Sequence, residues 1–453
     1  MNENKKNKPV KFALDSSAAF YPYFTTRKAQ SMYCVGAVLD GDIDREVLKR
    51  AVNDALNRFP LYKTKVIRGY GSYMLKSNDV EAEVFDLDGK VLKPIDTKLT
   101  HGYQFRLACR RDRLTLEMFH ALTDANGAIA FLTAIIRRYR ELCGVEFDGN
   151  CGVEAWNAAP KAGELEDGFK KYYKRISLRE LNLKGMAGGV PHRIKGTLLK
   201  DGYILEDGVM DADKLLENAR AMGVSLTAYV AGAVAYGIIK TSEVKRPIVI
   251  MVPVNLRKLF PTESLSNFVT FVRLIVKKEE CASFEDCVKT CAAQLKEKAA
   301  KDKMQAFIST TVRAQRNFIF RAVPLFLKWI LIRLGRLFMK SRQTIIISNL
   351  GGFDLPEQMG VDELLVNLNV SANNVQNLGI VSYRGRCKLT FTSAIAELDM
   401  PQATFEILSE QGVNVAKTGF IRNKDTDNAP ITNIQEDKQY EKAKFRTTEK
   451  TLS

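Results

Sequence analysis

From Tyr33 to Leu39 almost every position is apolar. After Asp44 the apolar residues recur every three or four positions, with Val47, Leu48, Ala51, Val52, Ala55, Leu56 and Phe59 on one face. The first pattern predicts a strand and the second an amphipathic helix. Asp42 or Asp44 can cap that helix, and Pro60 ends it. Short strands are predicted at Thr64 to Ile67, Ser72 to Leu75 and Glu83 to Phe85. Gln104 to Ala108 and Arg113 to Phe119 form an antiparallel pair around a polar turn. In the second of these, Leu114, Leu116 and Met118 alternate with Thr115, Glu117 and Phe119, and His120 extends the Leu114 face. A helix from about Ala125 to Glu141 carries Ile129, Leu132, Ile135, Ile136 and Tyr139 at helical spacing.

Gly163 to Gly196 is charged and has little periodicity, which marks a crossover between two halves. Beyond it come a strand, a helix at Ala212 to Met222, and an apolar helix at Leu226 to Lys240 whose Ala and Gly content predicts close packing. Pro247 to Val254 and Phe268 to Val276 read as strands around a turn. Phe284 to Ala300 is an amphipathic helix, and Thr344 to Ile347 and Cys387 to Ala394 are strands. The division is therefore 1–162, a linker at 163–196, 197–422, and a polar tail at 423–453 with no apolar face, expected to be disordered. This order of elements predicts an α/β chain built as two α+β two-layer halves.

A chain of 453 residues suits two domains or two halves of one large fold. The apolar fraction of 46% permits a large core. The charge is +16, from 68 basic and 52 acidic residues. Such a surface attracts anions. The basic residues are spread along the chain, which fits a phosphate-rich small ligand and argues against nucleic acid. The eight cysteines include no CxxC pair and the histidines number three, so no metal site is expected. The cysteines read as buried thiols in a reducing, cytoplasmic setting. Met1 to Val10 is polar and lysine-rich, unlike a signal peptide.

No run of about 18 apolar residues occurs. Asn317 to Lys340 comes nearest, interrupted by Arg321, Lys328, Arg333 and Arg336. It reads either as a buried helix whose basic residues snorkel outward, which is preferred, or as a surface helix in contact with anionic lipid, a membrane-surface contact through 317–340.

Candidate chemistry lies at Phe119-His120-Ala121-Leu122-Thr123-Asp124-Ala125-Asn126-Gly127, between a strand and a helix. His120 can take a proton near neutral pH. Asp124, four residues on, lets the loop fold back and hold the histidine. The plain alternatives are that Asp124 or Asn126 only caps the helix and that His120 is a core histidine.

This segment resembles the HxxxD acyltransferase superfamily, which includes chloramphenicol acetyltransferase and the condensation domains of peptide synthetases. The bacterial alcohol acetyltransferase-like proteins are the nearest type. Leu14-Asp15-Ser16-Ser17-Ala18-Ala19, Arg58-Phe59-Pro60, Pro253-Val254-Asn255-Leu256-Arg257, Ser266-Asn267-Phe268 and Ser348-Asn349-Leu350-Gly351 add to it, in order, over roughly Phe12 to Val415. The resemblance implies two chloramphenicol acetyltransferase-like halves around a central tunnel. Acyl-CoA, as co-substrate rather than a bound cofactor, and a small hydroxylated acceptor would enter from opposite faces.

The resemblance further implies that His120 is the general base and that no acyl-enzyme forms. Asp124 would pair with an arginine of the other half, for which Arg257 is the best match; the alternative for Arg257 is a solvated strand end. An oxyanion donor is expected from Ser348 or Asn349, or else from Asn267. The alternative for 348–352 is a glycine turn that only reverses the chain. Two departures stand out. Phe119 replaces the first of the two histidines usual in condensation domains, which disfavours peptide-bond synthesis on carrier proteins. Ala125 replaces a common glycine, while Gly127 is kept. Three functions follow as expectations: a CoA-dependent O-acyltransferase first, then a non-catalytic thioester or carrier-protein binding module, then a lipid-handling peripheral protein.

Overall fold

A computed structural model describes residues 10–25, 30–88, 92, 94–148, 151–176, 189–200, 202–316, 323–338 and 342–422. The tail expected at 423–453 and parts of the 163–196 and 317–340 segments lie outside these residues. In chain order the strands are β1 (Lys11–Ala13), β2 (Met32–Leu39), β3 (Thr64–Arg68), β4 (Tyr73–Ser77), β5 (Val84–Asp86), β6 (Phe105–Arg110), β7 (Arg113–Phe119), β8 (Ile204–Asp211), β9 (Ile248–Asn255), β10 (Val269–Val276), β11 (Ile345–Phe353), β12 (Val361–Leu368), β13 (Gln376–Tyr383), β14 (Arg386–Ser393) and β15 (Val415–Arg422). The helices are α1 (Tyr21–Phe24), α2 (Arg45–Arg58), α3 (Ala125–Leu142), α4 (Gly168–Lys171), α5 (Ala212–Ala221), α6 (Leu226–Thr241), α7 (Phe284–Lys298), α8 (Lys301–Arg316), α9 (Leu325–Phe338) and α10 (Asp399–Glu410).

The N-terminal lobe is a five-stranded sheet in the order β12-β2-β7-β6-β5, backed by α2 and α3. Asp44 caps α2 by accepting from the Glu46 and Val47 amides, and Leu48, Ala51, Val52, Ala55 and Leu56 point into the core. The C-terminal lobe is a seven-stranded sheet in the order β10-β9-β11-β13-β14-β8-β15. The small residues of α6 let α7 approach closely: a Cβ on Gly232 would lie 2.4 Å from a Val288 methyl. A smaller sheet, β1-β4-β3, flanks the N-terminal lobe.

Three features fix the two lobes and the crossover between them. First, β12 comes from the C-terminal half of the sequence but pairs antiparallel with β2, completing the N-terminal sheet. It crosses β13 closely, since a Cβ on Gly379 would meet Val366 O at 2.7 Å. Second, Arg58, with no exposed side-chain surface, grips Glu164 through two bonds of 2.7 and 2.6 Å, fixing the start of the crossover to the end of α2. Third, Lys388 on β14 lies 2.8 Å from Asp207 on β8 and also binds Glu363 on β12.

The preferred reading of 317–340 as a buried helix does not hold for the described part of α9. Phe326, Leu327, Trp329 and Ile330 are exposed, while Lys328 is buried with its Nζ on Gly71 O. The described part of this helix is tied to the hairpin between β3 and β4, whose Tyr70 and Gly71 carbonyls accept from the Leu325 amide and Lys328 Nζ. Among the described residues no single helix is long and apolar enough to cross a membrane.

Replacing Lys388 leaves Asp207 and Glu363 without their shared cation in a mostly dry seam. Lys388→Ala should therefore cost about 3 kcal/mol of stability, read as a lowered urea midpoint, whereas Lys240→Ala at the exposed pair with Glu410 should cost almost nothing.

Candidate functional site

The backbone of His120 is fixed before its side chain is considered. β7 ends one residue earlier with Phe119 opposite Met32, and the His120 amide donates to Ser31 O at 2.9 Å, extending the ladder. The ring leaves the sheet between two tyrosines. Tyr21 of α1 stacks on it at 5.1 Å and 16°, and Tyr33 of β2 lies tilted at 4.5 Å. Tyr33 is held in turn by its hydroxyl, which donates to Thr123 O.

The Asp124 carboxylate does not contact this ring. It caps α3 by accepting from the Asn126 and Gly127 amides at 3.1 and 3.3 Å. Its second oxygen accepts from Arg257 Nη1 at 2.7 Å and from the Phe268 amide at 2.8 Å. The cap and the ion pair expected as alternatives are thus both present on one side chain. Arg257 spends its other N–H groups on Ser264 O and Ser266 O. Asn255 adds a bond to Asn126 across the same seam. Asp124 is 1% exposed, so Arg257 supplies the charge that makes its burial tolerable.

Asn267 orients the histidine. It has no exposed surface, and its side-chain N–H groups go to Asp15 Oδ2 at 3.0 Å and His120 O at 2.9 Å. Both partners are acceptors, so the amide orientation is determined and Oδ1 must be the atom facing His120 Nδ1, 3.5 Å away. An acceptor at that position favours the proton on Nδ1. The lone pair is then on Nε2, the nitrogen available for base chemistry. Because both amide hydrogens are committed, Asn267 does not fit the oxyanion-donor role expected from sequence.

Behind Asn267 lies Asp15, 6% exposed. Its Oδ1 accepts from the Ser17 and Ala18 amides at 2.8 and 2.7 Å, and its Oδ2 accepts from the Asn267 amide as well as its side chain. Burial pushes the Asp15 carboxyl up to about 7, against these hydrogen bonds, which favour the ionised form. Burial likewise pushes the His120 pKa down to about 4, against Asn267 and the charge of Asp124. The ring is neutral at pH 7 and remains partly accessible.

Gly127 is required by close approach. A Cβ there would lie 2.1 Å from Thr123 Oγ1, 2.5 Å from Leu265 O and 2.6 Å from the Tyr62 hydroxyl. Ser348 and Asn349 sit in β11, which runs on through a bulge to Phe353 rather than turning there. Asn349 donates to Thr227 Oγ1 and accepts from the Gly351 amide. Among the described residues, no hydrogen bond joins this stretch to the His120 loop.

Sequence reasoning gave no role to Asp15, Tyr21 or Tyr33. Asp15 had a partial signal, since Asp followed by two serines favours a turn in which the carboxylate takes nearby amides. Its bond to Asn267, 252 positions away, had none.

No family model and no curated protein matches the chain. Solved structures do. The epimerization domain from the third module of tyrocidine synthetase B is 12% identical, with 91% of this chain and 97% of that one covered at a TM-score of 0.59. The trichothecene 15-O-acetyltransferase from Fusarium sporotrichioides is 11% identical over 91% and 96%, at 0.58. Polyketide synthase associated protein 5 from Mycobacterium tuberculosis is 16% identical over 83% and 93%, at 0.55. A doubly substituted variant of the starter condensation domain of rhizomide synthetase, solved with C8-CoA and Leu-SNAC, matches at 0.57 with 12% identity over 88% and 93%. The chain therefore shares its two-lobed fold with these epimerization, condensation and acetyltransferase structures.

Gly127→Ala should force the 264–267 segment off the start of α3. The expected cost is roughly 3 kcal/mol of stability, measured by urea unfolding; an unchanged midpoint would mean the loop can yield.

Proposed function

We propose that the chain is an acyltransferase that moves an acyl group, acetyl or another short chain, from its coenzyme A thioester to the hydroxyl of an acceptor. The observation that carries this reading is the oriented, neutral imidazole of His120, with Nδ1 facing Asn267 and Nε2 left as the base. The fold supports it, since the similar structures include an acetyltransferase and a condensation domain in complex with C8-CoA. The scattered basic excess suits the phosphates of coenzyme A.

In this reading the acceptor hydroxyl meets Nε2 as its oxygen attacks the thioester carbonyl. The new C–O bond forms, the hydroxyl proton passes to Nε2, and a tetrahedral oxyanion results. Collapse breaks the C–S bond, and Nε2 returns the proton to the departing thiolate, giving ester and free CoA. Asp124 and Arg257 do not touch the substrate. They position the loop that carries the base and the 264–268 segment that carries Asn267.

The second reading, a thioester or carrier-protein binding module without turnover, draws on Phe119 and Ala125. One assay separates the two. Purified protein given acetyl-CoA and a panel of alcohols should release free thiol, and His120→Ala should lower the rate by about 10²–10⁴-fold. Binding of CoA without His120-dependent release supports the module instead.

The depressed His120 pKa sets a sign for the pH dependence. The neutral, competent form persists as pH falls below the ordinary imidazole range and is lost only near pH 4. In an Asp15→Asn background, which removes the carboxyl that titrates near 7, kcat/KM should fall little from pH 7 to 5.5, whereas an unshifted imidazole would lose about ten-fold. An inflection near 6.5 in that variant's rate profile would contradict the buried base.

A further inference from the structure

Helix α9 presents an apolar face to solvent. Phe326 is 64% exposed, Leu327 41%, Trp329 38% and Ile330 43%, and these positions share one side of the helix. The tip of the hairpin between β3 and β4 adjoins them: Tyr70, 85% exposed, accepts the Leu325 amide on its carbonyl, and Gly71 O accepts from Lys328. A contiguous exposed patch of this kind marks an interaction surface.

The sequence that flanks these positions carries charge of one sign. From Lys303 to Phe353 the chain has nine basic residues and no Asp or Glu; from Tyr62 to Asn78 it has Lys63, Lys65, Arg68 and Lys76 and again no Asp or Glu. At the chain's average of 52 acidic residues in 453, these 68 positions would hold about eight. Two segments more than 200 residues apart in sequence therefore meet in space, and both lack negative charge.

We propose that this face docks the protein on an anionic lipid bilayer, with α9 lying in the headgroup plane. Length excludes a span: 14 residues reach about 21 Å at 1.5 Å per residue, short of the ~30 Å hydrocarbon layer. Exposed aromatic and aliphatic side chains flanked by cations are what an interfacial helix uses. A second copy of the chain is disfavoured, because a two-fold contact would set this positive surface against itself.

The docking stands apart from the proposed acyl transfer. Where that reading is added, the docking specifies the acceptor as an amphiphilic alcohol held in the bilayer. α9 packs across α1, whose Tyr21 stacks on His120, and Gln315 at the end of α8 donates to Ser16 O beside Asp15. The membrane face and the base thus share one short helix.

The test is co-sedimentation of the full chain with phosphatidylcholine vesicles and with vesicles containing about 30% phosphatidylglycerol. Binding is expected only to the anionic vesicles, and it should be lost between ~0.1 and ~1 M NaCl. The Phe326→Ser/Ile330→Ser variant, with thermal unfolding matching the parent, should bind about ten-fold more weakly. Binding by the variant equal to the parent, or no binding to anionic vesicles at ~0.1 M NaCl, overturns the proposal. So does a dimer in sedimentation velocity that this variant dissociates, since the face would then be occupied by a second copy. None of these readouts depends on turnover, so they stand or fall separately from the thiol-release assay.

Discussion

A carboxylate with 1% of its surface exposed has to be neutralised, and Asp124 is neutralised from the opposite lobe. Its two oxygens accept four hydrogen bonds: two from the first turn of α3 in its own lobe, and two from Arg257 and the Phe268 amide in the other. Arg257 in turn collects the carbonyls of Ser264 and Ser266. Removing one partner would leave a bare charge in a dry seam, which is far costlier than losing a surface ion pair. The lobes are therefore held at a fixed distance at the point where the His120 loop lies, and the strand exchange of β12 holds them at the other side of the N-terminal sheet.

That fixed distance matters because the histidine is oriented by a residue its own lobe does not supply. Asn267 precedes β10, in the C-terminal lobe, yet it reads the His120 carbonyl and faces the ring nitrogen. Asp15, from the start of the chain, fixes the amide by accepting from its side chain and its backbone. As the resemblance implied, Asp124 pairs with Arg257 and holds the loop; what the sequence did not indicate is that an asparagine from the facing lobe faces the ring nitrogen. A slip of the seam by an ångström would leave the Asp124 cap in place but would lose the Asn267 contact, already at 3.5 Å.

Much of the scaffold was legible because it obeys local periods. α2, α3, α6 and α7, and β2, β7, β9 and β10, fall where apolar spacing put them. Asp124 and Arg257 were paired in advance only through the resemblance. What was not legible depends on contacts remote in sequence. Nothing local says that β12 should join β2 rather than its own half, since an apolar strand serves either sheet. The Asn267 bonds span 147 and 252 positions. Ser348 and Asn349 were read as a turn from Gly351 and Gly352, but a bulge inside β11 uses the same glycine freedom, with Gly351 at φ +88°. For α9 the apolar run was recognised, but not its exposure, because hydropathy does not say whether neighbouring elements are there to cover a helix.

A base with a pKa near 4 is poorly matched to a hydroxyl in the resting site, since general-base catalysis is most effective with a pKa near the working pH. The depression comes from burial, which penalises the imidazolium more than Asn267 and the charge of Asp124 favour it. In the proposed reaction an oxyanion develops beside the ring at the moment the proton arrives. A negative charge a few ångströms away in a poorly hydrated site raises the affinity of the imidazole for that proton. The base would then be weak in the resting site and strong in the transition state, which is the difference that accelerates a reaction rather than merely binding its substrate. The same burial disfavours a lingering imidazolium, so the proton is driven on to the departing thiolate. Dryness thus supports both halves of the transfer, and the interlobe clasp of Asp124 and Arg257 is what keeps the seam closed enough to stay dry.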